Sequence, residues 1–232
     1  MRILLTAGGT EEPIDGVRRL TNISTGATGG VLAQTLADHG AEVLLLHARR
    51  APLDAIAVER DTFVTFADLE AALHGHLQAR DWDVVIHLAA VSDYSVASVE
   101  VDGRRVIHGD RGKIGSGGEV VIRLTPSPKL IDGLRNWSRN EAILVVGFKL
   151  TNTADPADRI SKIRALLDRG TTDLVVHNDL GEIEGNRHPA EIWNAGGPVV
   201  RTETKAELAV ALFNLLRKTR TTDDERSTEM NR

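Results

Sequence analysis

Short apolar runs alternate with segments of helical periodicity along most of the chain. Four runs have the pattern of buried parallel strands, at 3–7, 42–46, 84–88 and 143–146, and a fifth follows at 174–177. Apolar residues recur at helical spacing in segments 28–37, 67–77, 128–137, 155–167 and 205–217. Strands that alternate with helices in this way are typical of βαβ units. The pattern therefore predicts an α/β fold: a Rossmann-like, doubly wound, mainly parallel sheet with helices on both faces.

Residues 95–124 interrupt this alternation. Within them, segment 99–108 turns at Asp102-Gly103, which is a hairpin signal, and the glycine-rich segment 110–118 has the composition of a mobile loop. Such an insertion is either a lid over a site or an arm that contacts a partner subunit. A second hairpin is predicted at 192–200. We expect residues 1–217 to form a single domain that includes the insertion, and residues 218–232 to form a disordered polar tail.

Composition and charge narrow the functional classes. The chain has 232 residues, of which 41% are hydrophobic and 26% charged, and its net charge of −5 provides no basic field to hold nucleic acid. It contains no cysteine, which excludes disulfides, cysteine metal sites and thiol nucleophiles. No apolar stretch reaches the roughly 18 to 20 residues of a membrane span, and the first run meets Gly8 too early for a secretory signal. A cytoplasmic protein without nucleic-acid or membrane partners is therefore expected.

Small and polar residues follow the predicted strands at the edge where a doubly wound sheet binds ligands. Ligands of such sheets lie beyond the carboxyl ends of the strands. The residues at these positions are Gly8, Gly9 and Thr10 after the first strand, Ala89, Ala90, Val91, Ser92 and Asp93 after the third, Gly147, Phe148 and Lys149 after the fourth, and Asn178 and Asp179 after the fifth. The alternative is that they are ordinary loop residues. We favour a binding site because small or polar residues follow four of the five strands.

A second loop, Asn22-Ile23-Ser24-Thr25-Gly26, precedes the first predicted helix. Its hydroxyl and N–H groups could hold a phosphate, and the alternative is a plain helix cap. The glycines of the first thirty residues are split over two loops and do not form G-x-G-x-x-G, so the usual dinucleotide fingerprint is absent.

Several charged residues also have two interpretations. Asp93 could hold Mg²⁺ beside a phosphate, contact a sugar hydroxyl, or belong to a turn. Lys113 lies in the glycine-rich loop and could swing over a charged ligand or stay solvated. Lys162, Arg164 and Arg169 lie on one predicted helix and its end, where a charged helix surface is the alternative. The sequence contains neither H-E-x-x-H nor G-x-S-x-G, so neither a zinc site nor the simplest hydrolase is indicated.

Four blocks of the sequence together carry a family resemblance. They are TAGGTEEPIDGVR at 6–18, NISTG at 22–26, AAVSDY at 89–94 and GFKL at 147–150. In this order they resemble the phosphopantothenate–cysteine ligase (phosphopantothenoylcysteine synthetase) family of coenzyme A synthesis, over roughly residues 1 to 215. The chain starts at the ligase strand, so it resembles the free-standing, single-domain bacterial form. The resemblance then implies a separate decarboxylase protein in the same pathway, and a homodimer with the 99–108 hairpin as the candidate contact.

The resemblance implies a two-step reaction. The carboxylate of 4′-phosphopantothenate attacks the α-phosphate of a nucleoside triphosphate, and pyrophosphate leaves. The amine of L-cysteine then attacks the acyl-nucleotidylate to give 4′-phosphopantothenoylcysteine. Bacterial members typically use CTP and eukaryotic ones prefer ATP, so CTP is favoured and ATP remains open. Mg²⁺ is the expected metal, with Asp93 as its candidate ligand.

The resemblance also implies roles for particular residues. Asn22 matches the asparagine placed at the acyl intermediate, and Lys113 matches the loop lysine that reaches the nucleotide phosphates. The matched nucleotide-binding positions are Gly8, Gly9, Thr10, Ser24, Thr25, Gly26, Ala89, Ala90, Val91, Asp93 and Phe148, the last beside the nucleobase. Where fused relatives carry two lysines, this chain offers Arg164 and Arg169, and Lys149 is an extra cation that could replace one of them.

Two other functions fit parts of the pattern. An NADP-dependent oxidoreductase would share the Rossmann-like fold, and Arg49 and Arg50 could contact a 2′-phosphate. Against it, His47 stands where an acidic residue would bind the ribose of NAD, and Tyr94 lacks the lysine of a Tyr-x-x-x-Lys pair. A non-catalytic nucleotide-binding protein would keep the glycine loops but need neither Asn22 nor Lys113.

Overall fold

The computed structural model describes residues 1–53, 55–106, 109 and 112–230, with side chains described as far as 219. The strands are β1 (Arg2–Ala7), β2 (Glu11–Pro13), β3 (Arg19–Thr21), β4 (Glu42–Ala48), β5 (Glu59–Phe63), β6 (Val84–His87), β7 (Tyr94–Val101), β8 (Arg104–Val106), β9 (Val120–Pro126), β10 (Leu144–Thr151), β11 (Leu174–Asp179), β12 (Ala190–Asn194) and β13 (Gly197–Thr202). The helices are α1 (Ala27–Asp38), α2 (Phe66–Ala79), α3 (Leu134–Trp137), α4 (Pro156–Leu167) and α5 (Lys205–Met230), with 3₁₀ turns at Leu130–Asp132 and Leu180–Glu182.

Eight strands form one central sheet in the order β13-β12-β11-β10-β6-β1-β4-β5. The six from β11 to β5 are parallel, whereas β12 and β13 form an antiparallel hairpin at the edge. After β1 the chain continues to β4, on one side of β1 in the sheet, whereas after β6 it continues to β10, on the other side. The direction in which strands are added therefore reverses between the neighbouring strands β1 and β6. Because crossovers between parallel strands are right-handed, this reversal places α1 on one face and α2, α3 and α4 on the other. Helix α5 packs on α1. The predicted Rossmann-like, doubly wound sheet is confirmed.

One strand of the main sheet and one helix beside it differ from the expectation. Strand β5 was not predicted because its sequence, ERDTF, is charged and only Phe63 is buried. The helix predicted at 128–137 is a 3₁₀ turn followed by the four-residue α3. Gly133 separates the two pieces, and a Cβ there would collide with the ring of Trp137. The close packing of this ring on the backbone explains why glycine interrupts the apolar periodicity.

The C-terminal segment also differs from the expectation. The sequence predicts a helix that ends at Arg217 and a disordered tail over 218–232, but α5 continues to Met230. Residues 205–230 contain no glycine or proline that would end a helix. The last two residues of the predicted tail lie outside the described part of the chain. No helix within the described residues is long and apolar enough to cross a membrane.

The insertion is a separate antiparallel sheet with strand order β8-β7-β9. The predicted hairpin is present as β7 and β8, which turn at Asp102-Gly103. Ile107 and His108, which end the predicted hairpin, and Asp110 and Arg111 of the predicted loop lie outside the described residues. A short pair, β2 and β3, extends the β1 loop next to this sheet.

Candidate functional site

A cleft of about 840 Å³ opens at the carboxyl ends of the parallel strands, at the point where the strand order reverses. The segment between β3 and α1 forms one wall, and the loop after β6 forms the floor. The 3₁₀ turn at Leu130–Asp132, the end of β10 and helix α4 form the opposite wall. Of the predicted site residues, those that line the cleft are Asn22, Ser24, Thr25, Gly26, Ala89, Ala90, Val91, Asp93, Phe148, Lys149 and Arg169.

Gly8, Gly9 and Thr10 lie behind this lining and hold its loops in place. The Gly8 carbonyl accepts a hydrogen bond from the Ala90 amide (2.8 Å), and the Thr10 hydroxyl accepts one from the Ser92 amide (2.9 Å). A Cβ on Gly9 would come within 2.8 Å of the Asn22 carbonyl oxygen. These residues therefore set the position of the cleft loops, and their direct contact with a phosphate stays a prediction.

Asn22 joins two walls of the cleft. Its side-chain Nδ2 donates a hydrogen bond to the Val91 carbonyl (3.1 Å), so the amide group spans the gap between the β3–α1 segment and the loop after β6. The following residues lead into α1, whose N-cap residue Gly26 has no side chain, while the Thr25 hydroxyl accepts a hydrogen bond from the Ala27 amide (3.3 Å). A helix N-terminus directed into a cleft presents amide N–H groups and positive potential to an anion. This wall of the cleft is therefore suited to a phosphate.

Cationic side chains line the opposite wall. Lys149 extends from β10, while Lys162 and Arg169 come from α4 and its exit. Lys162 pairs with Asp158 (2.7 Å) and Arg169 with Asp132 (3.0 Å). Both basic residues remain at least two-fifths exposed, so their charge is available to an anionic ligand.

Arg164 does not belong to this wall, in contrast to the expectation. Its Nη1 donates to the Ala195 carbonyl (2.8 Å), and its guanidinium lies 5.7 Å from the centre of the Trp193 ring. Lys162, which the sequence places on the same helix but which the resemblance matched to no binding position, takes the cleft-facing position instead. Residues 162, 165, 166 and 169 all line the cleft, and this i, i+3, i+4, i+7 spacing was the available signal.

Further cleft residues were also missed. Lys205 at the start of α5 and His188 line the far end, where His188 Nε2 lies 3.5 Å from the Thr28 hydroxyl. Burial, followed by the charge of Lys205, lowers the pKa of His188. Two residues that were predicted from the sequence, Phe148 on β10 and Asn178 on β11, also line the cleft; Phe148 is in register with Val176, and Asn178 with Leu150. Both lie near the carboxyl ends of their strands, at the edge where a doubly wound sheet binds ligands.

Asp93 stands at the mouth of the cleft as one half of an ion pair. Its carboxylate contacts the ammonium of Lys129, and both side chains are about half exposed. Among the described residues no group of three or more His, Asp or Glu side chains could hold a metal ion. The surroundings of Asp93 therefore do not resemble a metal site built by the protein.

Lys113 lies outside the cleft, on a loop that is fastened to the turn between β2 and β3. The amide of Ile114 donates to Asp15 Oδ2 (3.0 Å), and the amide of Gly16 donates to the Gly112 carbonyl (2.9 Å). The Asp15 carboxylate also accepts from Arg18 Nη1 (2.6 Å). The hydrogen bond from Ile114 is the main reason that the pKa of Asp15 is lowered to about 2. Lys113 itself is exposed.

The residues that bear on the oxidoreductase alternative, His47 against it and Arg49 and Arg50 in its favour, lie outside the cleft. His47 is buried, and its Nδ1 donates to the Ala48 carbonyl (3.0 Å). Arg50 pairs with Glu11 (3.5 Å). Neither these residues nor Arg49 line the cleft, so the cleft has no basic group from β4 that would contact a 2′-phosphate.

The fold and the cleft define a doubly wound α/β protein with a cleft at its switch point that cationic side chains line. The chain belongs to the DNA/pantothenate metabolism flavoprotein C-terminal domain family, which matches residues 1–219. This confirms the family resemblance inferred from the sequence.

Particular relatives support the same family. The coenzyme A biosynthesis bifunctional protein CoaBC of Thermococcus kodakarensis is 31% identical over 220 residues, which are 94% of this chain and 51% of that protein. The chain thus spans about half the length of the curated relatives it matches. The crystal structure of the DNA/pantothenate metabolism flavoprotein from Streptococcus pneumoniae has 30% identity and a TM-score of 0.82, covering 94% of this chain and 99% of that one. The C-terminal domain of a CoaBC protein has 26% identity and a TM-score of 0.71, covering 95% and 96%.

Proposed function

We propose that this chain is a phosphopantothenate–cysteine ligase. It joins 4′-phosphopantothenate and L-cysteine into 4′-phosphopantothenoylcysteine, through an acyl-nucleotidylate formed with CTP, with ATP as the alternative co-substrate. The observation that carries the proposal is one cleft that gathers Asn22, the N-terminus of α1 and the cations Lys149, Lys162 and Arg169. The match to a pantothenate-metabolism family supports it.

In the first step, a carboxylate oxygen of phosphopantothenate bonds to the α-phosphorus. The bond from that phosphorus to the bridging oxygen breaks, and pyrophosphate leaves. Negative charge concentrates on the phosphates, and the three cations on one wall with the α1 N-terminus on the other are placed to offset it. Phe148 and Asn178 are the proposed neighbours of the nucleobase.

In the second step, the cysteine nitrogen bonds to the acyl carbon, the nucleoside monophosphate leaves and the amine loses a proton. The tetrahedral intermediate carries an oxyanion, which a neutral hydrogen-bond donor stabilises. The Nδ2 group of Asn22 is such a donor, and its bond to the Val91 carbonyl fixes its direction while leaving its second hydrogen available.

Mg²⁺ is expected for this chemistry, but the residues around Asp93 do not fit it. The carboxylate is already paired with Lys129, and the described residues bring no group of three or more His, Asp or Glu side chains together that could hold an ion. We therefore propose that Asp93 contacts a sugar hydroxyl, and the steps above use only the chain's own residues.

The insertion has an exposed apolar edge strand, which bears on whether two copies of the chain associate. On strand β9, Val120, Val121, Ile122 and Leu124 are each exposed by about two-fifths. An apolar edge strand of this kind favours pairing with another strand. We propose a homodimer through the insertion, and a movement of the Lys113 loop away from Asp15 when it reaches the nucleotide phosphates. A monomeric mass in solution scattering would contradict the dimer.

The proposed cellular setting follows from the reaction. Relatives are described as bifunctional coenzyme A biosynthesis proteins. We propose that a decarboxylase acts on the product of this chain, and that both work in the cytoplasm.

The test is a pyrophosphate-release assay with 4′-phosphopantothenate, L-cysteine, Mg²⁺ and either CTP or ATP. Release that depends on phosphopantothenate, together with formation of the cysteine amide detected by mass spectrometry, supports the ligase. No release with either nucleotide, together with saturable NADPH binding, would replace it by the oxidoreductase alternative. The ratio of kcat/KM for the two nucleotides decides between CTP and ATP.

A further inference from the structure

His87 lies on the floor of the cleft, and neither the family resemblance nor the sequence motifs assigned it a role. It ends β6, between Thr6 of β1 and Gly147 of β10 in the sheet register. It lines the same cleft as Asn22 and Phe148 but is only 7% exposed. The His87 ring is therefore mostly buried but still reaches the cleft, and the hydrogen bonds of its two nitrogens determine what it can do there.

The hydrogen bonds around Thr6 determine which ring nitrogen carries the proton. The Thr6 hydroxyl oxygen accepts from the amides of Leu88 (3.1 Å) and Ala89 (3.1 Å), which occupies both of its acceptor sites. Its own hydrogen is therefore donated to His87 Nδ1, which lies 3.0 Å away. Since Nδ1 accepts, the proton of the neutral ring is on Nε2.

The Nε2–H group is directed into the cleft. Among the described residues His87 has no hydrogen-bond partner other than Thr6, and no side-chain nitrogen or oxygen is both sealed from solvent and unpartnered. Nε2 therefore reaches solvent, and the cleft is the space that His87 lines. Burial lowers the pKa of His87 to about 4, so the ring stays neutral near pH 7. It thus adds a hydrogen-bond donor to the cleft without adding a further positive charge to those of its lysine and arginine side chains.

We propose that His87 contacts substrate directly, with Nε2–H donating a hydrogen bond to an anionic oxygen of the reacting phosphate or carboxylate. This inference rests on the proposed ligase function for the identity of the reacting groups. Thr6 is then a positioning residue, because its hydroxyl holds the ring in the tautomer that donates.

Two substitutions separate this role from a structural one. In His87→Asn the side-chain oxygen can replace Nδ1 as acceptor for Thr6, but the Nε2 donor is lost. In His87→Gln the longer amide can place an N–H near the former Nε2. We expect His87→Asn to keep its melting temperature and lose about 10- to 100-fold in kcat/KM, the range of one hydrogen bond to a charged group. We expect His87→Gln to stay within about fivefold of the unaltered protein. Activity of His87→Asn within twofold, or equal losses in both variants, would overturn the proposal.

A second measurement does not depend on turnover. Long-range ¹H–¹⁵N correlation spectra of the full chain, assigned by comparison with His87→Asn, should show His87 as the Nε2–H tautomer. CTP and 4′-phosphopantothenate are then added separately. The compound that shifts the Nε2 signal carries the group that His87 contacts. An Nδ1–H tautomer, or no movement with either compound or with both, would refute the contact. If the signal moves but no pyrophosphate forms, the reaction assignment fails and the contact stands.

Discussion

Replacing Gly8 with alanine tests how strictly the first strand positions the cleft. Gly8 has φ of +87°, and a Cβ there would lie 2.6 Å from Ala48 Cβ and 3.2 Å from the Ala48 nitrogen. The left-handed backbone costs a non-glycine residue about 1–2 kcal/mol, and overpacking adds about 1–3 kcal/mol. We therefore expect Gly8→Ala to lower the free energy of unfolding by about 2–5 kcal/mol, measured by urea denaturation with constant m.

Gly40 provides a matched control. It has the same φ of +87°, but a Cβ there would meet nothing within 4 Å. Gly40→Ala should therefore cost only the backbone part, about 1–2 kcal/mol. The difference between the two variants isolates the contact with Ala48, and Ala48→Gly in the Gly8→Ala background should recover the part of it that comes from the Ala48 Cβ. Equal destabilisation by the two single substitutions would refute the reasoning.

The effect of Gly8→Ala should extend to the site. The Gly8 carbonyl holds the Ala90 amide at 2.8 Å, so displacement of Gly8 moves the floor of the cleft. We expect a higher KM for the nucleotide in Gly8→Ala and an unchanged KM in Gly40→Ala. An unchanged nucleotide KM in Gly8→Ala would show that the floor does not depend on this hydrogen bond.

The other predictions concern the walls of the cleft and the Lys113 loop. Asn22→Ala should still release pyrophosphate but accumulate the acyl-nucleotidylate, seen by quenched-flow mass spectrometry; product formed at the normal rate would remove Asn22 from the second step. Lys162→Ala should raise the nucleotide KM about tenfold, as loss of a charged contact predicts, whereas Arg164→Ala should leave it unchanged. A raised KM in Arg164→Ala and an unchanged KM in Lys162→Ala would mean that the Arg164 face of α4, and not the Lys162 face, contacts the nucleotide. The lowered pKa of Asp15 means that its carboxylate stabilises the loop fully above its ordinary pKa of 3.8 and loses this effect as the pH falls toward about 2. Amide exchange at Ile114 should therefore stay slow at pH 5 and speed up in Asp15→Asn, and equal exchange in both proteins would contradict the anchoring role.

The strands that bury apolar runs were predictable because burial on both faces leaves a continuous signal in the sequence. Strand β5 has no such run, because as the outermost strand it exposes four of its five residues. Its position follows only from pairing with β4, which is a property of the assembled sheet.

The site residues on loops that directly follow strands were predictable from the sequence. Those on helices were harder to predict. Lys162 and Arg164 flank the buried Ile163; the helical spacing puts Lys162 on the same face as Arg169, but the sequence does not indicate which face of the helix lines the cleft. That depends on how α4 lies across β10 and β11. The docking of the Lys113 loop is equally non-local, since Ile114 and Asp15 are 99 residues apart.

Residues from Asn22 to Lys205 contribute to the cleft, and no single βαβ unit supplies both of its walls. The binding surface consequently arises only when the strand order is complete, so folding and ligand affinity are thermodynamically linked. A ligand at one hundred times its dissociation constant would stabilise the native state by about 2.7 kcal/mol. The supply of substrate in the cell would thereby also influence how long each molecule persists before it unfolds and is degraded.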